Sequence, residues 1–363
     1  MKLQVTQENL NRALGAVARV ANSRNPLPIL SNVLLKTNNN RLSISATNLD
    51  IAITQHIGAK VSEEGSITVP ARLMQDFVSS LPSGVIDLEL EDSKLRIKTD
   101  QYNSVVNGIV ADDFPVMPEI TSGKSWSVPG ATLKRALQQV VFAASNDESR
   151  PVLTGVYVHT GENSLYIAAT DSYRLAEKQL GKNKEAVQLL IPATAMQDLL
   201  RIVGDFDGDV QVTHDDQQIL FHVGDVDLIA RLLEGKYPDY RKLIPSEFAV
   251  SVTLKRADFV NITKVSSLFA RESAGSVTVH VDEETKTVSI HSIASQLGEN
   301  TANATATVKG SGSITLNSRY LLDGLQALSG DTVTFGFNGK LEATLLKDAA
   351  DGGYSHIIMP LKS

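Results

Sequence analysis

The chain has no cysteine among its 363 residues, which excludes disulfides and thiolate metal sites. Aromatic residues make up only 5%, so there are few platforms on which unstacked bases would lie. No stretch approaches the ~18 consecutive apolar residues of a membrane-spanning helix. The opening MKLQVTQENLNRA lacks the apolar run of a secretory signal, and a cytoplasmic protein is expected. Catalytic signatures are missing too. There is no G-x-S-x-G and no glycine-rich dinucleotide loop, and the seven histidines show no HxxH or HExxH pairing. SGKS at Ser122 to Ser125 resembles the tail of a phosphate loop, but Pro118 stands where the first glycine is needed. Asp205, Asp207 and Asp209 have the alternating spacing of a calcium loop, yet Val210 replaces its glycine and Asp216 its closing glutamate. A plain turn is the better reading. The expectation is a non-enzyme with no metal and no cofactor.

Positive charge is also in short supply, since the net charge is −7, which argues against coating a polyanion over a broad surface. With 42% hydrophobic and 21% charged residues, the composition is that of a soluble globular protein with real cores.

What the chain does have is repetition. LKRA occurs at Leu133 to Ala136 and again at Leu254 to Ala257, with a weaker echo, LNRAL, at Leu10 to Leu14. The strand-like RLSISATN, LYIAATDS and VSIHSIAS begin their apolar runs at Leu42, Leu165 and Val288, in steps of 123. VPARLMQDFVSSL, IPATAMQDLLRIV and LNSRYLLDGLQAL follow at Val69, Ile191 and Leu316, and Pro115, Pro238 and Pro360 recur at matching places. The chain therefore reads as three copies of one domain, 1–122, 123–246 and 247–363. In each copy a short strand leads into an amphipathic helix. Leu10, Leu14, Val17 and Ala21 share one face, as do Leu133, Leu137, Val140 and Ala144; the third stripe is expected through Phe259, Ile262 and Val265. Alternating strands and a second helix follow, the latter opened by Pro70 and Pro192 in its first turn in two copies, and further strands complete the unit. The fold class is α+β, with two helices packed on antiparallel sheets in each copy.

Charge is unevenly placed. The first-helix segments 6–20, 131–145 and 254–268 carry +1, +2 and +2, while the second-helix segments are neutral, so the rest of the chain carries −12. Lys and Arg are good formers of a solvated helix. The alternative is that the helices share a surface that meets phosphates, in contacts that carry no sequence information.

ATDSYRLA (169–176), GKYPDYRKLIP (235–245), RNPLPILSNVLLK (24–36), VPARLM (69–74) and the terminal IIMPLKS together resemble the bacterial DNA sliding clamps, the β subunits of DNA polymerase III. The likeness spans the whole length. It implies a head-to-tail homodimer in which each chain forms half of a closed ring, with helices lining a hole for duplex DNA. It further implies a processivity factor that slides without sequence specificity and tethers replicative and repair polymerases, a clamp loader and other clamp-binding-motif proteins. Such a protein would be cytoplasmic and nucleoid-associated, with no membrane partner.

Partners of this family insert a glutamine followed by apolar anchors between the second and third domains. The resemblance implies a wall of Leu153, Thr170, Ser172, Tyr173, Arg174 and Leu175 from the second copy, with Pro238, Lys242 and Leu243 from the segment that leads to the third. Asn317, Tyr320, Ile357, Met359, Pro360 and Leu361 would complete it. Leu175, Ile357 and Met359 would serve equally as interdomain core. Ser172 stands where the family often has glycine, Lys242 where it has arginine, and MPLKS where it has MPMRL. For DNA the resemblance implies Arg24 and Arg72, while Lys134, Arg135, Lys255 and Arg256 follow from charge position. DESRPV at 147–152 lacks the tyrosines and glutamine of the family, and no DNA contact is carried over there. The rival reading is an acidic three-domain peptide-binding scaffold that does not encircle DNA.

Overall fold

The computed structural model describes every residue except 22–26, 116–119, 184, 295–297, 349 and 363. Among the described residues are six α-helices, two per sequence copy: α1 (Gln7–Val17), α2 (Ala71–Ser80), α3 (Gly130–Val140), α4 (Ala193–Val203), α5 (Arg256–Phe269) and α6 (Ser318–Ala327). One backbone hydrogen bond recurs at the start of each first helix. Gln7 N–H donates to Gly84 O (2.8 Å), Gly130 N–H to Gly208 O (2.9 Å) and Arg256 N–H to Asp331 O (2.8 Å). It closes the end of a strand pair that also recurs, Lys2–Thr6 with Val85–Glu91, Lys124–Pro129 with Asp209–His214, and Val250–Lys255 with Thr332–Phe337. The sequence copies are copies of a hydrogen-bonding scheme.

The chain divides into two compact units, Met1–Ala131 with Gln197–Leu232, and Thr132–Met196 with Leu233–Ser363. The middle copy is shared between them because its strands join the sheets of both neighbours. In the first unit an eight-stranded sheet runs 124–129, 209–214, 218–223, 226–231, 51–58, 41–47, 32–38, 66–70, so that Val226–Ala230 of the second copy pairs antiparallel with Ile51–Gln55 of the first. A five-stranded sheet (60–63, 2–6, 85–91, 94–98, 103–107) ends on Asn103–Asn107. α1 lies against α2 and the strands 41–47 and 51–58, and its Leu10, Ala13, Leu14 and Val17 are wholly buried.

The second unit repeats the device. Its nine-stranded sheet runs 188–192, 155–161, 164–170, 174–182, 354–358, 344–348, 332–337, 250–255, 307–309, with Arg174–Lys178 of the second copy paired to Tyr354–Ile358 of the third. A four-stranded sheet (298–305, 287–294, 276–282, 312–317) ends on Gly298–Thr305. α5 packs on α6 and on the strands 287–294 and 298–305.

Two local expectations need correcting. Pro70 and Pro192 do not enter the second helices. Pro70 is the N-cap of α2, and Pro192 ends the strand Gln188–Pro192. Both remain in strands at sheet edges, where a missing N–H costs nothing. In α5 the buried positions are Phe259, Ile262, Thr263 and Ser266, while Val265 is exposed. Six residues on from Phe259 is about 120° away at 3.6 residues per turn. The two buried hydroxyls are satisfied, Thr263 Oγ1 donating to Phe259 O (2.6 Å) and Ser266 Oγ to Ile290 O (3.3 Å).

The join between copies two and three also holds charge. On the strand Arg174–Lys182 alternate side chains face opposite ways. Lys178 points to Asp351, whose carboxylate also takes Arg135 Nη2 (2.9 Å) and Gln139 Nε2 (3.4 Å). Burial would raise the Asp351 carboxyl, but the Lys178 hydrogen bond and charge and the Arg135 charge outweigh it and hold the group below the usual carboxylate range. Asp351→Asn would leave Lys178 as a buried cation without its counter-charge. It should destabilise the chain by about 3 kcal/mol in urea denaturation, and the double variant Lys178→Met, Asp351→Leu should recover most of that loss.

Candidate functional site

The residues expected to take a peptide lie in the second unit and are organised by one tight turn. Thr170 Oγ1 donates to Arg174 O (2.6 Å) and accepts the Ser172 N–H (3.1 Å). Asp171 Oδ1 accepts the N–H groups of Tyr173 and Arg174, each at 2.9 Å. These bonds hold Ser172 at φ +77°, a left-handed conformation costing an L-residue about 1 kcal/mol. Its Oγ accepts a hydrogen bond from Arg150 Nη1 (3.1 Å). Tyr173, left 62% exposed, offers its carbonyl to the Met359 N–H (2.8 Å), which ties the C-terminal segment to the turn.

Arg174 is the hub. Its Nε meets Asp171 Oδ2 (2.9 Å), Nη1 meets Asp323 Oδ2 on α6 (2.6 Å), and Nη2 donates to Phe142 O (2.7 Å). The guanidinium also lies over the Tyr320 ring, 4.6 Å from its centre. Asn317 caps α6 by accepting the N–H groups of Arg319 and Tyr320. Around this hub opens a polar cleft of about 470 Å³, lined among others by Asp147, Arg150, Asp171, Tyr173, Arg319 and Tyr320.

On the other face of the same strand is an apolar cluster. Leu153, Leu175 and Ile357 are buried in it with Ala168, Leu190, Tyr237, Tyr240 and Leu345, and Met359, Val152, Ile244 and Phe248 pack against it half-buried. Leu175 and Ile357 are 3% and 2% exposed and thus form its floor. Pro238, Lys242 and Leu243 are exposed on the segment that crosses it; Leu243 is 56% exposed, and Lys242 pairs with Asp239 (2.7 Å). Pro360 and Leu361 are half-buried, with the Leu361 N–H on Thr315 O (2.9 Å). The fifteen expected residues thus divide into the floor, the exposed segment, the turn with its α6 partners, and the half-buried C-terminal Met359, Pro360 and Leu361. Sequence reasoning missed Tyr237 and Tyr240, although they flank Pro238 in YPDY, and it missed Arg150 and Leu345.

The cations expected to meet DNA are placed differently. Arg24 lies outside the described residues. Arg72 is 94% exposed, with Asp76 one turn on at 3.9 Å. Lys255 is exposed at the N-cap of α5, and Lys134 is half-buried. Arg135 and Arg256 are committed to the protein, Arg135 to Asp351 and Ser329, and Arg256 Nε to Gly330 O (2.9 Å). The LKRA likeness does not carry over to position: Leu133–Ala136 lies inside α3, whereas Leu254 and Lys255 end a strand and Arg256 opens α5. Among the described residues no group of three or more His, Asp or Glu is placed to hold a metal ion.

Three family models match in tandem: the N-terminal domain of the DNA polymerase III beta subunit over residues 1–118, its central domain over 127–239 and its C-terminal domain over 241–362. The chain belongs to the DNA polymerase III beta subunit family. The beta sliding clamp of Synechocystis sp. is 32% identical over 388 residues, covering 100% of this chain and 99% of that one. The Synechococcus elongatus clamp is 31% identical, with the same coverage. Among solved structures, a DnaN sliding clamp from Bartonella birtlesii bound to griselimycin is 28% identical with a TM-score of 0.95, covering 100% of both chains. The Bacillus subtilis clamp, 26% identical, gives the same score over 100% of this chain and 99% of its own. The three-copy α+β architecture is therefore the clamp fold.

Beneath the Arg174 hub, His356 is fully buried, its Nε2 without a hydrogen-bond partner. Burial first, then the Arg174 charge, push its pKa down to about 3 from 6.5. The folded state keeps it neutral while the unfolded chain protonates near pH 6.5, so its contribution is complete above that pH. It is lost as pH falls toward about 3. His356→Phe should flatten the fall of stability between pH 6.5 and 5 by up to about 1.4 kcal/mol per pH unit, read from urea midpoints.

Proposed function

We propose that the chain is a non-catalytic processivity factor, a homodimeric ring that encircles duplex DNA and holds polymerases and repair proteins by linear peptides. Membership of the family supports replication as the setting. The observation that carries the ring is a sheet edge left over from the repeat. The last strand of the second copy pairs with the first copy, and the last strand of the third copy pairs with the second. The last strand of the first copy, Asn103–Asn107, is a sheet edge, and so is Gly298–Thr305, the third-copy counterpart of the two acceptor strands.

Val105 and Tyr102 are exposed near one edge and Ile293, Val265 and Leu268 near the other. Open sheet edges beside exposed apolar side chains are a liability unless covered. A second chain completes the third pairing, and a two-fold axis supplies it twice, closing a ring of six copies cut at about residues 122 and 246. Enclosure retains DNA without tight contacts, which reconciles a net charge of −7 with a DNA partner. Arg72 and Lys255, with Lys134, are the cations that serve the duplex, and the site around Leu175, Arg174 and Met359 takes the peptides. The working place is the cytoplasm, on the nucleoid.

The acidic total also favours a scaffold that never encircles DNA. Light scattering decides first, where a particle of twice the 39.1 kDa chain mass is expected. On nicked circular DNA the protein should stay bound and then leave when the circle is linearised; equal loss from both forms would support the scaffold. Arg72→Glu with Lys255→Glu should lower the log–log salt slope of DNA binding by about 2 at unchanged particle mass. Deleting Met359–Ser363 should abolish binding of a fluorescent peptide carrying Gln followed by Leu and Phe, and the dimer mass should survive.

A further inference from the structure

The segment Gly235–Phe248, which crosses the nine-stranded sheet, is fastened by a buried polar group. Tyr240, 3% exposed, donates its single hydroxyl hydrogen to Glu177 Oε2. Its oxygen then accepts from His159 Nε2 (2.7 Å), which assigns the Nε2–H tautomer to that ring. Arg241 Nε reaches the same carboxylate oxygen (3.2 Å), and its guanidinium lies 4.0 Å from the centre of the Tyr166 ring. Burial and the neighbouring Glu177 push the Tyr240 hydroxyl up, so it remains a donor at every working pH.

This arrangement is not part of the repeat. At these positions the strand pairings of copies one and two match at a spacing of 123: Lys36 pairs with Ser43 as His159 pairs with Tyr166, and Ser45 with Thr54 as Ala168 with Glu177. At the first join the places of His159, Tyr166 and Glu177 are thus held by Lys36, Ser43 and Thr54, and in sequence Met117 stands at the place of Tyr240. None of these can make the same bonds. The first join nevertheless carries the same sheet pairing, so the join does not need the fastening. Burying a carboxylate is costly beside an apolar alternative. What the fastening adds is a fixed path for the segment. The Tyr240 N–H also closes on Pro238 O (2.8 Å), and Tyr240 opens the short 3₁₀ turn that ends at Leu243.

We infer that Tyr240, Glu177 and His159 are positioning residues that hold the exposed rim Pro238–Leu243 over the apolar floor for an incoming peptide. The inference rests on the peptide-site reading and names the device that makes the second join, unlike the first, a pocket.

The test uses the full-length protein and a fluorescein-labelled synthetic peptide carrying Gln followed by Leu and Phe, read by anisotropy at 25 °C. Tyr240→Phe should bind about tenfold more weakly than the unmodified chain, with particle mass unchanged. Glu177→Gln keeps an acceptor in place and should stay within about threefold. Adding His159→Phe to Tyr240→Phe should cost nothing more, because both delete the same bond. An unchanged Kd for Tyr240→Phe would overturn the positioning role while the peptide site stands. A loss in Glu177→Gln larger than that in Tyr240→Phe would assign the effect to the charge that Glu177 shares with Arg241 and overturn it as well. No binding by the unmodified chain would overturn the peptide site and this inference together.

Discussion

Strand pairing across the copy boundaries is the constraint from which the rest of the structure follows. A copy taken alone would end its outer sheet on a row of unpaired N–H and C=O groups, which proteins cover or blunt. Here Val226–Ala230 and Tyr354–Ile358 cover those rows in the preceding copies. Two independent sets of contacts must then agree at each join, the ladder itself and the side chains on its two faces. Between copies two and three one face carries Leu175 and Glu177 and the other Arg174 and Lys178. A slip of one residue would exchange the two sets and bury the charges against the apolar cluster.

The same pairing makes the candidate site. It draws the Asp171–Arg174 turn beside Met359 and α6, so that a residue of copy two finds its partners in copy three. Arg174 uses its donors on Asp171, Asp323 and Phe142 O at once, a set that a lysine's point charge cannot reproduce. The polar hub and the apolar floor share one strand, one on each face. A peptide that pairs a glutamine with apolar anchors suits such a boundary.

Charge is divided by task. The two LKRA stretches occupy different places, Arg135 in the middle of α3 and Arg256 at the start of α5, yet both guanidinium groups meet protein acceptors near the 329–331 turn and Asp351. Arg72 and Lys255 are exposed, and Arg135 is partly exposed while bound to Asp351. Four matching letters therefore stand at different places in the fold, and only the surroundings of each side chain separate a contact within the fold from a surface charge.

Much was legible in the sequence, because it depended on local chemistry and on spacing. The three copies, the positions of six helices and the apolar strips of α1 all follow from periodicity and from residues a few places apart. The stripe of α5 was misread at Val265, where two buried hydroxyls replaced the apolar residues that periodicity seeks. Beyond local reach the sequence was silent. Tyr240 meets Glu177 and His159, and Arg135 meets Asp351, across long stretches of chain with no periodic trace, and their pairing exists only once strands of different copies share a sheet. By itself the sequence determined a threefold repeated α+β chain of the clamp family with its cations gathered on helices. Tertiary structure alone decided which cations stay exposed, which leucines form the floor and what holds the rim in place, since burial and long-range hydrogen bonds are properties of the assembled sheets.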